Sequence, residues 1–139
     1  MINKGDFLIS SPDSIGDYYF NRSVVILTEV NKDEIVGFIV NKEMEYTLSD
    51  IQESVLNKKI KIFSGGPVNQ DNLYFIHTYP QSISKGINFY NKFYWGGDFK
   101  ESIKMINKTK LGNPLIKFFS GYSGWTYDQL IDEIKNGAW

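Results

Sequence analysis

Two dense apolar runs constrain this chain more than any other feature. Residues 24–27 read Val-Val-Ile-Leu, residues 35–40 read Ile-Val-Gly-Phe-Ile-Val, and Asn31-Lys32-Asp33 lies between them. Runs this short and this rich in β-branched residues point to strands buried on both faces, and the polar tripeptide supplies turn chemistry. The pair therefore predicts a β-hairpin, residues 24–30 and 35–40, in the middle of a sheet. A chain of 139 residues is long enough to cover such a hairpin with one core and too short for two ordinary domains. Its 42% hydrophobic content separates it from disordered chains.

The flanking segments supply the cover. Residues 6–10 read as a short strand closed by the turn Ser11-Pro12-Asp13, and residues 59–64 alternate polar with apolar up to Gly65-Gly66-Pro67. Residues 73–78 and 115–122 are further strand candidates, and 83–97, rich in aromatics and broken by glycines, predicts two short strands. Leu48, Ile51 and Val55 fall at helical spacing, predicting a helix over about 48–56 with Thr47 or Ser49 as N-cap. Asp98 and Glu101 have capping-box spacing ahead of the stripe Phe99, Ile103, Ile106. Thr126 and Gln129 form a stricter box before Tyr127, Leu130, Ile131 and Ile134, with Gly137 as C-cap. Strands outnumber helices and do not alternate strictly with them. This predicts an α+β single domain with a central mixed, largely antiparallel sheet flanked by about three helices.

Composition excludes several chemistries. The chain has no cysteine, which removes disulfides, thiolate metal sites and cysteine nucleophiles. The N-terminus has no apolar core suited to a signal peptide, and no apolar run approaches the ~18 residues of a membrane span. The expectation is a soluble, cytoplasmic protein with no membrane partner. Fifteen basic residues against sixteen acidic ones give no overall field for nucleic acid, so direct DNA binding is not expected. The densest basic cluster, Lys58, Lys59 and Lys61, reads as a solvated strand edge.

Catalytic constellations are missing as well. The single histidine, His77, sits within the apolar run 73–78, which suits a core histidine better than a general base. With no second histidine and no calcium-loop pattern, no metal or cofactor is expected. Gly121-Tyr122-Ser123-Gly124 has the wrong spacing for a nucleophile elbow, and His77 precedes Ser123, against the hydrolase order. Ser64-Gly65-Gly66-Pro67 matches no phosphate loop, and a turn needing glycine is the simpler reading. No catalytic residue is assigned.

Several segments together resemble the AlgH/YqgE family of bacterial proteins. Gly5-Asp6-Phe7-Leu8-Ile9-Ser10 with Pro12 is similar to its N-terminal strand, and Phe20-Asn21-Arg22-Ser23-Val24-Val25 to its F-x-R-S-V-V segment. Gly37-Phe38-Ile39-Val40-Asn41-Lys42 is similar to its G-x-x-x-N strand end, and Gly65-Gly66-Pro67-Val68 to its G-G-P-V turn. Gly121-Tyr122-Ser123-Gly124-Trp125, with Gln129-Leu130, Glu133-Ile134 and Trp139, resembles G-Y-A-G-W…Q-L…E-I…W. These matches are collinear and cover almost the whole chain. Ser123 stands where the family usually has Ala, which weakens any nucleophile role. Family members usually continue past the position of Trp139. The chain therefore reads as one AlgH/YqgE-like domain, residues 1–139, without that C-terminal segment.

The resemblance implies an α+β fold and a non-enzymatic regulatory or binding protein, since the family is associated with control of transcription of an exopolysaccharide pathway. Its implied surface comprises Arg22, Asn41, Gly65, Gly66, Pro67, Tyr122, Trp125 and Gln129, polar, aromatic and turn residues at strand ends. Arg22, the sole arginine, is the candidate anion clamp; the alternative is an internal pair with Glu133. The expected partner is a protein or a small ligand. A competing reading is a small-molecule-binding protein or enzyme with a pocket lined by aromatics of 89–95. Without a terminal segment, apolar surface near Trp125 and Trp139 is expected to be exposed and to favour a homodimer.

Overall fold

The expected hairpin is present as β2 (Val24–Val30) and β3 (Ile35–Ile39). The two pair antiparallel with Val25 opposite Ile39 and Ile26 opposite Phe38, and a bulge falls between Leu27 and Glu29. Every residue of β3 is buried, in keeping with its unbroken apolar run. The computed structural model describes residues 1–12, 20–108 and 114–139.

Around the hairpin lie β1 (Phe7–Ile9), β4 (Glu43–Thr47), α1 (Leu48–Ile51), β5 (Lys61–Ser64) and β6 (Val68–His77). They are followed by β7 (Ile87–Tyr90), β8 (Phe93–Trp95), α2 (Phe99–Lys108), β9 (Ile116–Trp125) and α3 (Tyr127–Lys135). The strand order is β1-β2-β3-β9-β6-β8-β7, with β5 also against β9 and β4 against β5. The β5–β9 pair is parallel and the remaining pairs are antiparallel. The fold is α+β with a largely antiparallel sheet, as expected. The sheet curls until its two ends meet, for Gly5, just before β1, lies under the ring of Tyr90 at the end of β7. A Cβ on Gly5 would sit 2.7 Å from that ring.

Side chains alternate across a strand, so each strand divides its residues between two faces. On one face Val25, Leu27, Ile35 and Ile39 pack with Leu130 of α3. Further along the same sheet, Ile62, Phe75 and Phe118 pack with Ile103, Met105 and Ile106 of α2. Residues of the opposite parity, among them Ile26, Phe38, Phe63, Ile76 and Phe119, gather on the other face. That face carries neither α2 nor α3.

The helix termini follow the sequence closely. Thr126 accepts the Gln129 N–H at 3.1 Å as N-cap of α3, and Gly137 takes a left-handed φ of +80° just past its end. Before α2, Asp98 accepts the Glu101 N–H at 3.0 Å, but the box is only half closed. Glu101 turns instead to Ser84, accepting its backbone N–H at 3.0 Å and its hydroxyl.

Four expectations are corrected. The helix expected over 48–56 stops at Ile51, because Asn107 of α2 captures the following backbone: it accepts the Leu56 N–H at 3.0 Å and donates to the Ser54 carbonyl at 2.8 Å. Strand β4 was not expected, although Glu43-Met44-Glu45-Tyr46-Thr47 alternates with a period of two. Strands β6 and β9 outrun their expected ranges, since each pairs far beyond its apolar stretch. Trp125 is 4% exposed and Trp139 partly buried, so the apolar surface expected there is covered. The turn expected at Ser11-Pro12-Asp13 runs, at Asp13, outside the described residues. Among the described residues no helix is long and apolar enough to cross a membrane.

Candidate functional site

The eight residues singled out from sequence fall into three places. Gly65, Gly66, Pro67 and Tyr122 meet where the chain passes from β5, on one edge of β9, to β6, on the other. The link between them is only residues 65–67, so it must cross the backbone of β9 in contact. Gly65 lies so close that an added Cβ would overlap the Gly121 carbonyl oxygen, and one on Gly66 would overlap the Tyr122 carbonyl. Gly121 itself has a φ of +72°, and a Cβ there would lie 2.5 Å from the Gly66 oxygen. The Gly65 N–H donates to Ser120 and its carbonyl accepts from Ile39, both at 2.9 Å. The fully buried Ser123 hydroxyl donates to the same carbonyl at 3.0 Å, so it is tied into the crossing. Tyr122 packs edge-on against Tyr74, ring centroids 5.5 Å apart, and burial raises its hydroxyl pKa.

Arg22 and Asn41 form the second group. Asn41 accepts the Val24 N–H at 3.0 Å and donates to the Arg22 carbonyl at 2.9 Å, fastening the lead-in to β2 against the end of β3. Trp125 and Gln129 form the third, at the other end of β3, where Trp125 faces Ile35. Six residues of extended strand separate that point from Asn41, about 20 Å. Glu133 does not meet Arg22. Its Oε1 accepts the indole N–H of Trp125 at 3.1 Å and of Trp139 at 2.8 Å, while Phe20 packs on both rings. Gln129 lends its backbone N–H to the cap of α3, and its side chain is exposed.

His77 is fully buried with both ring nitrogens engaged: Nδ1 accepts the Tyr79 N–H at 3.0 Å and Nε2 donates to the Gly96 carbonyl at 3.1 Å. Burial lowers its pKa, the Gly96 carbonyl partly opposing, so the neutral ring is favoured. It is a core residue. Among the described residues no group of three acids or histidines could hold a metal.

A concavity lies elsewhere, on the sheet face that carries neither α2 nor α3. It is a cleft of about 780 Å³, a volume within the range of small-molecule sites. Its floor is Ile26, Phe63, Ile76 and Phe119, and Tyr90 and Phe93 rise on one side. Two residues of the aromatic segment 89–95 therefore line it, whereas Phe89 and Trp95 do not. Phe7 and Leu115, at the mouth, are 59% and 58% exposed.

Sequence reasoning missed the polar centre of this cleft, Lys117. It faces Ile76 in the β6–β9 register, on the floor of the cleft. Its Nζ donates to the Val40 carbonyl at 2.7 Å and lies 3.9 Å from the centroid of Phe63. Burial lowers its pKa, and the charge of Glu43 partly opposes this. Glu43 pairs with Lys61 at 2.9 Å. The signal was present: in Ile116-Lys117-Phe118-Phe119 the lysine shares a strand face with Phe119. The basic cluster read as a solvated edge likewise contributes Lys59 and Lys61 to the cleft wall.

A family model described as AlgH-like matches residues 7–139. A UPF0301 protein of Cytophaga hutchinsonii is 39% identical over 140 residues, which cover all of this chain and 76% of that protein. A UPF0301 protein of Bacteroides fragilis is 38% identical over 143 residues, covering all of this chain and 70% of that protein. The solution structure of the AlgH protein from Pseudomonas aeruginosa superposes with a TM-score of 0.78 at 25% identity, over 98% of this chain and 74% of that one. A crystal structure of a Corynebacterium diphtheriae protein shares the fold, with a TM-score of 0.74 at 19% identity over 100% of this chain and 74% of that one.

Proposed function

The chain belongs to the AlgH-like family, a family of unknown biochemical function, and on that premise we propose that it is a non-enzymatic binding protein whose ligand occupies the cleft on the sheet face that carries neither long helix. One observation carries the reading. Both long helices cover the same side of the sheet, and the aromatic side is left with a cleft of about 780 Å³. A concave, mostly apolar cleft of this volume with a single polar side chain at its centre has the form of a small-molecule site.

Binding is favoured over catalysis by what surrounds Lys117. Among the described residues the cleft lining contains no aspartate, glutamate or histidine to serve as general base or acid for an amine nucleophile. Any part the protein takes in transcriptional control then passes through its ligand or a protein partner, in the cytoplasm, and not through direct contact with DNA. A net charge of -1 agrees with this.

Two titrations test the reading. Nile red, a neutral apolar dye, is expected to bind saturably at one site. Phe7→Glu with Leu115→Glu, both at the exposed mouth, is expected to weaken it at least tenfold with the melting temperature little changed. Duplex DNA at low salt is expected not to bind. A folded protein that takes up no dye overturns the cleft reading, and tight, salt-sensitive DNA binding overturns the indirect role.

A further inference from the structure

We propose that the ligand of this cleft is an amphipathic anion: a small molecule with one negatively charged head, of the carboxylate class, on an alkyl or aryl body, the head held by Lys117. This rests on the binding reading above and adds to it the chemistry of the ligand.

Among the described residues, the charged groups that line the cleft are Lys59, Lys61 and Lys117, all of one sign. Lys61 already has Glu43 as a partner, on the neighbouring strand. Lys117 has no ion pair among the described residues, and it is the one of the three that stands over a ring of the lining, that of Phe63. A cation in that position has given up much of its hydration, and a carbonyl and a ring face replace only part of it. An ammonium carries three donors, of which Val40 takes one. An anion arriving beside it restores the lost electrostatic stabilisation, and in apolar surroundings that attraction exceeds its value in water.

The position of Lys117 fits an anchor more than a structural cation. Val40 follows the end of β3, where the strand has left β9 and Ile39 donates to Gly65 instead. Val40 donates its N–H to the Val24 carbonyl, but the Val24 N–H goes to the Asn41 side chain instead of returning to the Val40 carbonyl, and Lys117 reaches that carbonyl at 2.7 Å. This fixes the ammonium at one place in the cleft. From there the floor runs over Phe119, Ile76 and Phe63, and Phe93 and Tyr90 flank it. A ligand with its head at Lys117 lays an apolar body along those side chains, and each methylene buried there contributes about 0.8 kcal/mol. A neutral apolar ligand would leave the ammonium covered and unpaired. A cationic one would meet the like charges of Lys59 and Lys117.

A matched series separates these cases: decanoate, decanol and decyltrimethylammonium, each displacing Nile red from the full chain at neutral pH and below micelle formation. Decanoate is expected to displace the dye about tenfold more strongly than decanol, the value of one charge-assisted hydrogen bond, and the cation to be weakest. Lys117→Met is expected to bring decanoate down to decanol while leaving decanol unchanged. Lys117→Arg keeps the charge and is expected to retain most of the preference. Equal displacement by decanoate and decanol in the wild-type protein overturns the anion inference and leaves the apolar cleft standing. Dye binding that neither ligand competes with overturns the inference as well. A preference that survives Lys117→Met moves the anchor to Lys59 or Lys61 and refutes the role of Lys117. The wild-type comparison alone decides the ligand class, whatever the stability of the methionine variant.

Discussion

Substituting alanine for Gly65 isolates the energetics of the backbone crossing. Gly65 has no left-handed φ, so the change introduces no dihedral strain, only a Cβ. That atom would overlap the Gly121 carbonyl oxygen and lie 3.0 Å from the Phe119 Cβ. The link and β9 must part to admit it, loosening three bonds at once: Gly65 N–H to Ser120, Ile39 N–H to Gly65, and the Ser123 hydroxyl to Gly65. At about 1 kcal/mol for each weakened bond and 1–3 kcal/mol for overpacking, the loss is about 4–6 kcal/mol. That is a large share of the ~5–15 kcal/mol that holds a domain of this size. Gly96→Ala is the matched control. Its φ of +71° strains any side chain, by about 1–2 kcal/mol, but an added Cβ would meet nothing within 4 Å. Gly121→Ala combines both effects and is expected to be the worst of the three. Urea unfolding followed by tryptophan emission, with melting curves, reads all three. With ~3–4 °C lost per kcal/mol, Gly65→Ala should melt about 6–20 °C below Gly96→Ala. Equal melting of the two would refute the tight crossing.

Three further outcomes follow from buried polar groups. The folded pKa of His77 lies below the unfolded value of 6.5, so the folded state binds fewer protons and its stabilising contribution is complete above that pH. It is lost as pH falls through the folded value; the urea midpoint should drop between pH 7.5 and 5.5, above the range where carboxylates titrate, and a flat midpoint would contradict the buried neutral ring. Glu133→Ala frees two indole N–H groups and is expected to cost about 1–3 kcal/mol with altered tryptophan emission, whereas Glu133→Gln, which still accepts from both, should stay near wild type; equal losses in the two variants would argue against the shared acceptor. Ser123→Ala removes one bond to a carbonyl that keeps its Ile39 donor, so the loss should be no more than about 1 kcal/mol in a denaturant titration; a much larger loss would mean that the hydroxyl is essential to the crossing.

Most of the residues singled out by the family resemblance have a mechanical role. The turn glycines of 65–66 and Gly121 are there for backbone approach, Asn41 for a backbone clasp and Trp125 for a ring cluster around Glu133. Arg22, Pro67 and the side chain of Gln129 remain exposed and open to solvent-side contacts. The cleft is assembled from different residues, whose individual identities in the sequence are those of ordinary sheet side chains.

What the sequence determined by itself is local. The β-branched runs specify β2 and β3 almost to the residue, because apolar period and turn chemistry act within a few positions. Thr126, Gln129 and Gly137 bound α3 through hydrogen bonds and a dihedral that lie within the helix ends themselves. The burial of His77 followed from its apolar neighbours. Tertiary structure decided the rest. Nothing within residues 48–56 reveals that Asn107, some fifty positions on, takes the backbone of 54–56 and ends α1 early. Nothing within Gly65-Gly66 reveals that the third glycine of the crossing is Gly121, or that the crossing sends β5 and β6 to opposite edges of β9. The cleft is the clearest case. Period-two alternation divides each strand into two faces, but which face receives α2 and α3 depends on how nine strands are ordered and curled. Only when both helices settle on one side is the cleft left open on the other, with Lys117 in its lining.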